Sequence, residues 1–212
     1  MGKKHILYYT IVEFLENGKC PVCGLIKKRR EEYFKHVLFE QVNDIGFRKK
    51  LRATNGFCNY HTYKFLSYHD SLGTALIYQD LYLSDIKNLE RGKIVKSPEK
   101  CVVCDIEKDA EKTALDVIFS FLNDSEFKEV FMRSKGLCLP HYKKILLLHS
   151  DIPQWFKEFH MKRFKKIAET LHKFIDSENV SLGDKRPTLT KEEELIWKEA
   201  VEFFAGVEGL KW

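Results

Sequence analysis

The chain has 212 residues, of which 44% are hydrophobic and 32% charged, and its formal net charge is +5. This length and apolar content allow one well-filled core or two small ones, and the mild basic excess neither requires nor excludes a nucleic-acid partner. The chain has 11 glycines and 5 prolines, and it is rich in Lys, Glu and Leu. This composition favours an all-α protein over a sandwich or a barrel.

The N-terminal apolar run over residues 6–12 is interrupted by Glu13, and no small-residue cleavage site follows it. It is therefore a poor signal peptide and is much too short to span a membrane. No later stretch approaches the ~18 apolar residues of a membrane span. We expect a cytoplasmic protein with no membrane contact. In that reducing compartment, paired cysteines more often hold metal or do redox chemistry than form structural disulfides.

Hydrophobic periodicity and chain breakers predict helices in both halves of the chain. In the first half the predicted helices cover residues 5–17, 24–43, 45–54 and 59–90, the last with a bend near residues 71–73. A joint over residues 92–98 follows. The second half repeats the order, with helices at 102–122, 125–134, 139–149 and 153–177. A linker over 179–189 leads to a capping box, Thr190 to Glu193, which starts a last helix that ends near Ala205.

The two halves match each other at a nearly constant spacing, which indicates an internal duplication. The offset is 81 residues at the Cys-x-x-Cys pairs and 80 residues from Phe39, which aligns with Phe119, onward. One residue is therefore gained or lost within the first long helix. We predict two pseudo-symmetric helical repeats, residues 1–92 and 93–178, followed by a linker and C-terminal helix over 179–212.

Each half carries a Cys-x-x-Cys pair that is answered by a Cys-x-x-His pair, and together these pairs contain all 6 cysteines. Zinc prefers four nitrogen or sulfur donors in a tetrahedron, and one short turn supplies two of them. We predict one Cys₃His site in each half, and hence two zinc ions per chain. The ligands are Cys20, Cys23, Cys58 and His61 in the first half, and Cys101, Cys104, Cys138 and His141 in the second.

Other uses of these cysteines fit the pattern less well. An iron–sulfur cluster is an alternative, but three cysteines and one histidine hold such clusters less often than four cysteines do. Covalent haem requires a histidine directly after the second cysteine, where this chain has Gly24 and Asp105. A thioredoxin-like dithiol requires a strand–helix context, which the pattern does not show. A histidine ligand also needs a partner for its second ring nitrogen, and the sequence does not identify one.

At these residues the chain resembles a family of uncharacterised bacterial and archaeal proteins with twin Cys-x-x-Cys … Gly-Phe-Cys-x-x-His halves. The resemblance covers about residues 5–175. The first half matches with Gly56 and Phe57 before Cys58. The second half departs in having Leu137 after Gly136 and in lacking the Pro and Gly of the first Cys-x-x-Cys turn, and neither change touches a ligand. The family has no assigned activity, so the resemblance implies the metal sites and the duplication but no particular task.

Four protein ligands leave no open coordination position, which favours a structural zinc over a catalytic one. We therefore expect a non-enzymatic adaptor with a protein partner that the sequence does not identify. The apolar face of the last helix is expected to pack on the core or to dock a second copy. Two alternatives stay open. One is a thiol-based redox sensor or oxidoreductase that uses the Cys-x-x-Cys pairs, and the other is nucleic-acid binding through the basic helix faces at residues 27–30 and 162–166.

Overall fold

The computed structural model describes residues 4–94 and 101–210, and in these ranges the protein is all-α, with no strand. Residues 95–98 of the predicted joint lie outside the described residues. No helix in the described ranges is long and apolar enough to cross a membrane. The helices are α1 (Ile6–Glu16), α2 (Pro21–His36), α3 (Ile45–Ala53), α4 (Asn59–Leu66), α5 (Ser71–Glu90), α6 (Val102–Phe121), α7 (Ser125–Arg133), α8 (Leu139–Leu148), α9 (Gln154–Glu178) and α10 (Ile196–Ala205).

A turn of π-helix over Val37–Gln41 continues α2 and explains the one-residue difference between the repeats. A π-helical turn accommodates one extra residue in an α-helix. Val37 and Val42 are both buried although they lie five positions apart. Their counterparts Ile118 and Leu122 are buried four positions apart, at the end of the regular helix α6. The first repeat has therefore gained a residue here and keeps its apolar side chains in the core.

Two compact units are present, and neither coincides with a sequence repeat. One unit combines Met1–Leu25 with Glu111–Trp212, and the other is Ile26–Ala110. The division falls inside α2 and α6. Each repeat therefore gives its Cys-x-x-Cys segment to one unit and its Cys-x-x-His segment to the other. The boundaries predicted at 1–92 and 93–178 describe repeats of sequence, while the compact units are built from exchanged segments.

The unit Ile26–Ala110 has an aromatic core centred on Phe34. The ring of Phe34 lies 5.4–5.6 Å from the rings of Phe57, Phe65 and Tyr68. Such edge-on arrangements are favourable for aromatic pairs. His61 lies against the same ring, 6.4 Å away between centroids. The core of this unit is thus continuous with one of the predicted metal ligands.

The predicted bend between α4 and α5 is a complete break. α4 ends at Leu66 and α5 starts at Ser71. Between them His69 adopts a positive φ of 56°, which a helix cannot continue through. Asp70 then caps α5, since its carboxylate accepts a hydrogen bond of 2.7 Å from the Gly73 N–H.

In the other unit, α1 packs on α7, and α10 packs on α8 and α9. Tyr8 of α1 contacts the rings of Phe121 and Phe127. The predicted capping box is present. The Thr190 hydroxyl accepts from the Glu193 N–H at 3.2 Å, and Glu193 accepts from the Thr190 N–H at 2.8 Å. The α-helix itself begins only at Ile196, after a 3₁₀ turn.

Deletion of Glu40, an exposed residue in the π-helical turn, is expected to be tolerated. It would leave the buried valines on either side four positions apart, as in the second repeat, so that a regular α-helix keeps both in the core. We expect the free energy of unfolding to fall by less than about 2 kcal/mol, measured by denaturant titration.

The matched control is deletion of Ser120, an exposed residue between Ile118 and Leu122 in α6. That deletion would turn Leu122 out of the core by about 100°, so it should destabilise the protein more strongly. Equal losses from the two deletions would contradict the role assigned to the π-helical turn.

Candidate metal centres

The eight predicted ligands form two groups of three cysteines and one histidine, but their membership differs from the prediction. The first centre consists of Cys20, Cys23, Cys138 and His141, and the second centre of Cys58, His61, Cys101 and Cys104. The predicted grouping within each half is therefore wrong. Each Cys-x-x-Cys pair meets the Cys-x-x-His pair of the other repeat, because the N-terminal segments of the repeats are exchanged between the two compact units.

The donor atoms of each centre lie as far apart as the corners of a tetrahedron around one metal ion. Tetrahedral Zn²⁺ with Zn–S bonds of about 2.3 Å holds sulfurs roughly 3.8 Å apart, and a sulfur roughly 3.5 Å from a histidine nitrogen. In the first centre His141 Nδ1 lies 3.1–3.4 Å from the three sulfurs, and Cys23 Sγ lies 3.7 Å from Cys138 Sγ. In the second centre His61 Nδ1 lies 3.2–3.5 Å from the three sulfurs, and Cys58 Sγ lies 3.7 Å from Cys104 Sγ.

All four ligand pairs occupy the same two positions at a helix N-terminus. Cys58 is the N-cap of α4 and Cys138 is the N-cap of α8. Cys20 and Cys101 take the same place before α2 and α6, because their carbonyls accept the first intrahelical bonds, at 2.9 and 3.2 Å. In a capping box, side chains at the N-cap and three residues later meet, and here the same spacing brings two metal ligands together.

The positive end of a helix dipole stabilises an anionic thiolate. Each centre is the meeting point of two such helix ends. The sequence predicts this effect only for the Cys-x-x-His pairs, whereas in the structure the Cys-x-x-Cys pairs also begin helices.

In the second centre Glu107 engages the remaining nitrogen of the histidine ligand. Its carboxylate lies 3.2 Å from His61 Nε2 and accepts a hydrogen bond of 2.8 Å from Arg30. All three side chains are buried. Because the acidic partner fixes the ring and its tautomer, the opposite nitrogen, Nδ1, faces the sulfurs.

In the first centre Glu111 has the equivalent role. Its carboxylate lies 3.4 Å from His141 Nε2 and also pairs with Lys144. Glu111 and Arg30 are 81 residues apart, which is the offset of the Cys-x-x-Cys pairs. In the first centre the residue at this position of the repeat is Glu111, which contacts the histidine directly. In the second centre it is Arg30, which reaches the histidine only through Glu107.

The pKa values of the two histidines and of Cys101 indicate that the thiols stabilise a positive charge next to them. Burial alone would lower the pKa of His61, but its bonds to Cys101 and Glu107 raise that pKa to about 9. Burial alone would raise the pKa of Cys101, but hydrogen bonds from His61 and from backbone N–H groups lower it to about 6. Burial opposes protonation of His141 too, while bonds to Cys20, Cys23 and Glu111 raise its pKa to about 11. A metal dication would supply the same positive charge.

The turn that delivers Cys138 has a glycine for steric reasons. Gly136 has a φ of +72°, and a Cβ there would lie 2.6 Å from the Phe159 ring and 3.1 Å from His160 Nε2. His160 is buried, and its Nε2 accepts a 3.0 Å hydrogen bond from the Leu137 N–H. Its Nδ1–H donates to the Phe156 carbonyl at 2.8 Å. Burial lowers the pKa of His160 to about 4, so the neutral ring stays an acceptor for this turn.

Glu107, Glu111 and His160 are absent from the predicted site residues, and Arg30 is expected only as part of an exposed basic run. A signal for the glutamates exists, because Glu107 and Glu111 lie three and seven residues after Cys104, on the side of α6 that carries the buried Ala114 and Ile118. Charged residues at buried positions are rarely found without a partner. Identifying that partner required knowledge of which histidine lies opposite.

The basic run at residues 27–30 is not the uniform exposed face that the sequence suggests. Arg30 is buried against Glu107. Lys27 and Arg29 pair with acidic residues one turn later on the same helix, Glu31 and Glu32. This charge balance weakens the case for a phosphate-binding surface on this helix.

Comparison with known proteins agrees with the duplication. The protein-family model described as "Family of unknown function (DUF6062)" matches the chain twice, at residues 3–98 and 92–181. The chain belongs to this family. It is also 26% identical over 209 residues to the "Uncharacterized 23.9 kDa protein in xynA 3'region" of Caldicellulosiruptor sp. (strain Rt8B.4), covering 93% of this chain and 100% of that protein. No solved structure matches the chain.

The exchanged grouping predicts opposite outcomes for two double variants. Cys23→Ser with Cys138→Ser removes two ligands from the first centre only, so about one metal ion per chain should survive dialysis against a chelator. Cys23→Ser with Cys58→Ser removes one ligand from each centre, so both should lose tight binding. Metal analysis after dialysis distinguishes the two. Ligand sets confined to the sequence halves would give the reverse result.

Neutralising either buried glutamate should weaken the centre that it supports. For Glu107→Gln and for Glu111→Gln we expect metal affinity at one centre to fall about 10- to 100-fold, because the histidine loses its acidic partner. Competition with a chromophoric chelator measures this change. Asp109→Asn is the control, since Asp109 is exposed on the same helix. An effect of Asp109→Asn as large as the other two would indicate a general charge effect.

Proposed function

We infer that this protein is a cytoplasmic, zinc-stabilised helical scaffold with no catalytic role, which acts by binding another protein. The observation that carries the proposal is the closed donor set of each centre. Three sulfurs and one imidazole nitrogen surround one point, and the second nitrogen of each histidine already faces a glutamate. Four protein donors leave no place on the metal for a substrate or a reactive water.

The donor chemistry supports zinc. Thiolates and imidazole suit Zn²⁺, whereas Mg²⁺ and Ca²⁺ prefer oxygen donors. The sulfurs that lie 3.7 Å apart match the edges of a tetrahedron around one ion. A cluster of several irons would hold its cysteine ligands further apart than one ion does. The arrangement therefore favours a single metal ion per centre over the iron–sulfur alternative.

A structural metal would link the two repeats during folding. Each centre takes one ligand pair from the first repeat and one from the second, so neither repeat contains a complete centre in this arrangement. Metal binding by such sites contributes directly to the folding free energy. Zinc would in this way hold the helix surfaces that a partner protein recognises.

A redox role is the second candidate, and the exposure of the second centre favours it. Two cysteines of the second centre, Cys58 and Cys104, are half-buried, whereas in the first centre Cys20 alone is half-buried. Oxidants reach exposed thiolates most readily, and oxidation of a ligand releases its metal. In this reading the first centre would be structural and the second would be the sensor.

Purification without added metal is expected to give two zinc ions per chain, with no thiol reacting with a chromogenic disulfide until a chelator is added. Metal ligation protects thiolates, so all 6 cysteines should become reactive together with zinc release. Iron with a visible absorption band, or metal-free protein with disulfides, would overturn the proposal.

Mild peroxide distinguishes the two candidates. Retention of both zinc ions supports the structural role. Selective loss of one zinc supports the sensor, provided that the variant Cys58→Ser with Cys104→Ser, which lacks the second centre, loses no zinc. Affinity capture by the zinc-loaded protein, compared with chelator-stripped protein, then tests the adaptor role. Absence of any reproducible protein partner would count against it.

A further inference from the structure

Helix α9 carries a partly exposed apolar stripe with coiled-coil spacing. The stripe consists of Met161, Phe164, Ala168, Leu171 and Ile175, separated by three, four, three and four residues. Met161 is 47% exposed and Ile175 is 62% exposed. Repeating steps of three and four residues form the seam along which one helix packs on another. The stripe borders the core-facing side of α9, because Phe164 packs against His160 and Tyr142, with ring centroids 5.9 and 5.5 Å apart. Phe164 and Leu171 are accordingly half-buried, whereas Ala168 is exposed.

Helix α10 carries a second exposed stripe beside the first. Trp197, Val201 and Phe204 are 49%, 63% and 71% exposed, while Ile196 and Phe203 face the core. The two stripes border one apolar groove of about 570 Å³, which also reaches Leu139 at the start of α8. We call this surface, formed by the stripe residues of α9 and α10, the α9–α10 face.

We propose that the α9–α10 face binds a second copy of this chain, so that two helix pairs form a four-helix bundle around a two-fold axis. Two adjacent helices with apolar seams are half of such a bundle, and packing a second pair on them buries both seams. An isologous contact requires a surface that complements itself. This face offers projecting side chains, Trp197 and Phe204, beside a groove that can receive them.

The size of the face fits a dimer interface. Large aromatic side chains present about 150–250 Å² each, so the exposed fractions of the stripe residues correspond to apolar surface on the order of 500 Å². This is the size of the largest apolar patch on a typical monomer, about 300–600 Å², and such a patch often has a function. A standard interface buries roughly 800 Å² per partner, so the face would supply the apolar centre of a dimer interface and the surrounding polar side chains the remainder.

The residue order along α9 suits an antiparallel two-fold contact. Ala168 lies at the middle of its stripe, where a small side chain lets two helices approach closely. Pairing about Ala168 sets Met161 of one copy opposite Ile175 of the other, and Phe164 within one residue of the position opposite Leu171. Lys165 and Glu169 are exposed on one flank of the stripe. The same pairing brings each Lys165 within two residues of the position opposite Glu169 of the other copy, a gap that these long side chains can bridge, so this pair of rim charges is complementary.

Light scattering after size-exclusion chromatography tests the proposal on the full-length, zinc-loaded chain. We expect the mass of a dimer for the natural sequence and of a monomer for Val201→Glu with Phe204→Glu. Both residues are exposed, so helicity and zinc content should not change. A monomeric natural chain at the highest soluble concentration would overturn the proposal. So would binding of that monomer to anionic phospholipid vesicles, which would identify the face as a membrane-binding surface.

Cross-linking gives a second test that does not depend on the folding of the charged variant. Ala168→Cys should form a disulfide-linked dimer rapidly under mild oxidation, because the two-fold axis passes close to this residue. Leu147→Cys is the control, since Leu147 is 85% exposed on α8 and does not belong to the face. Equal cross-linking rates would overturn the proposal. Zinc content is measured in each case, so failure of the dimer is distinguishable from failure of the structural-zinc role.

Discussion

The convergence of two helix N-termini on one set of thiol and imidazole donors is the constraint on which the rest of this structure depends. A thiolate is costly to bury alone. Here each thiol lies where free N–H groups and a helix dipole favour its anionic form, and where a cation would balance three of them at once. Four helices, α2, α4, α6 and α8, begin at a ligand, so the centres fix where these helices start and which ends meet.

The exchange of segments between repeats makes the two halves of the chain depend on each other. A centre made within one repeat would allow that repeat to fold by itself, but each centre here takes two ligands from each repeat. The residues that contact the histidine donors show the same interdependence. Glu107 of the second repeat holds His61 of the first, and Arg30 of the first repeat holds Glu107. Each centre can therefore form only when both repeats are present.

The residues around the two histidines also show how duplicated sites diverge while their donor residues stay the same. One position of the repeat is Arg30 in the first copy and Glu111 in the second. In both centres an acidic oxygen reaches the histidine Nε2, but it comes from different positions along α6. Together with the greater exposure of Cys58 and Cys104, this difference gives the centres distinct chemical surroundings on one ligand plan.

The all-α class, the duplication and the eight candidate donor residues could be predicted from the sequence, since each follows from periodicity, spacing or residue chemistry. Some helix starts could not, since α2 begins at its Cys-x-x-Cys pair and α5 begins after a break that the sequence predicts only as a bend. The sequence also located the extra residue within the first long helix, although not as a π-helical turn. The partner of each Cys-x-x-Cys pair became evident only from the tertiary structure, because local pattern carries no information on which ligand pairs meet. The segment from His61 to Cys101 is about as long as the segment from Cys23 to Cys58, and nothing in the sequence indicates that Cys23 meets the distant Cys138. The buried partners Arg30, Glu107 and His160 likewise became identifiable only from the packing of the helices. A charged or polar residue on a helix looks solvated in sequence until packing places the group that pairs with it.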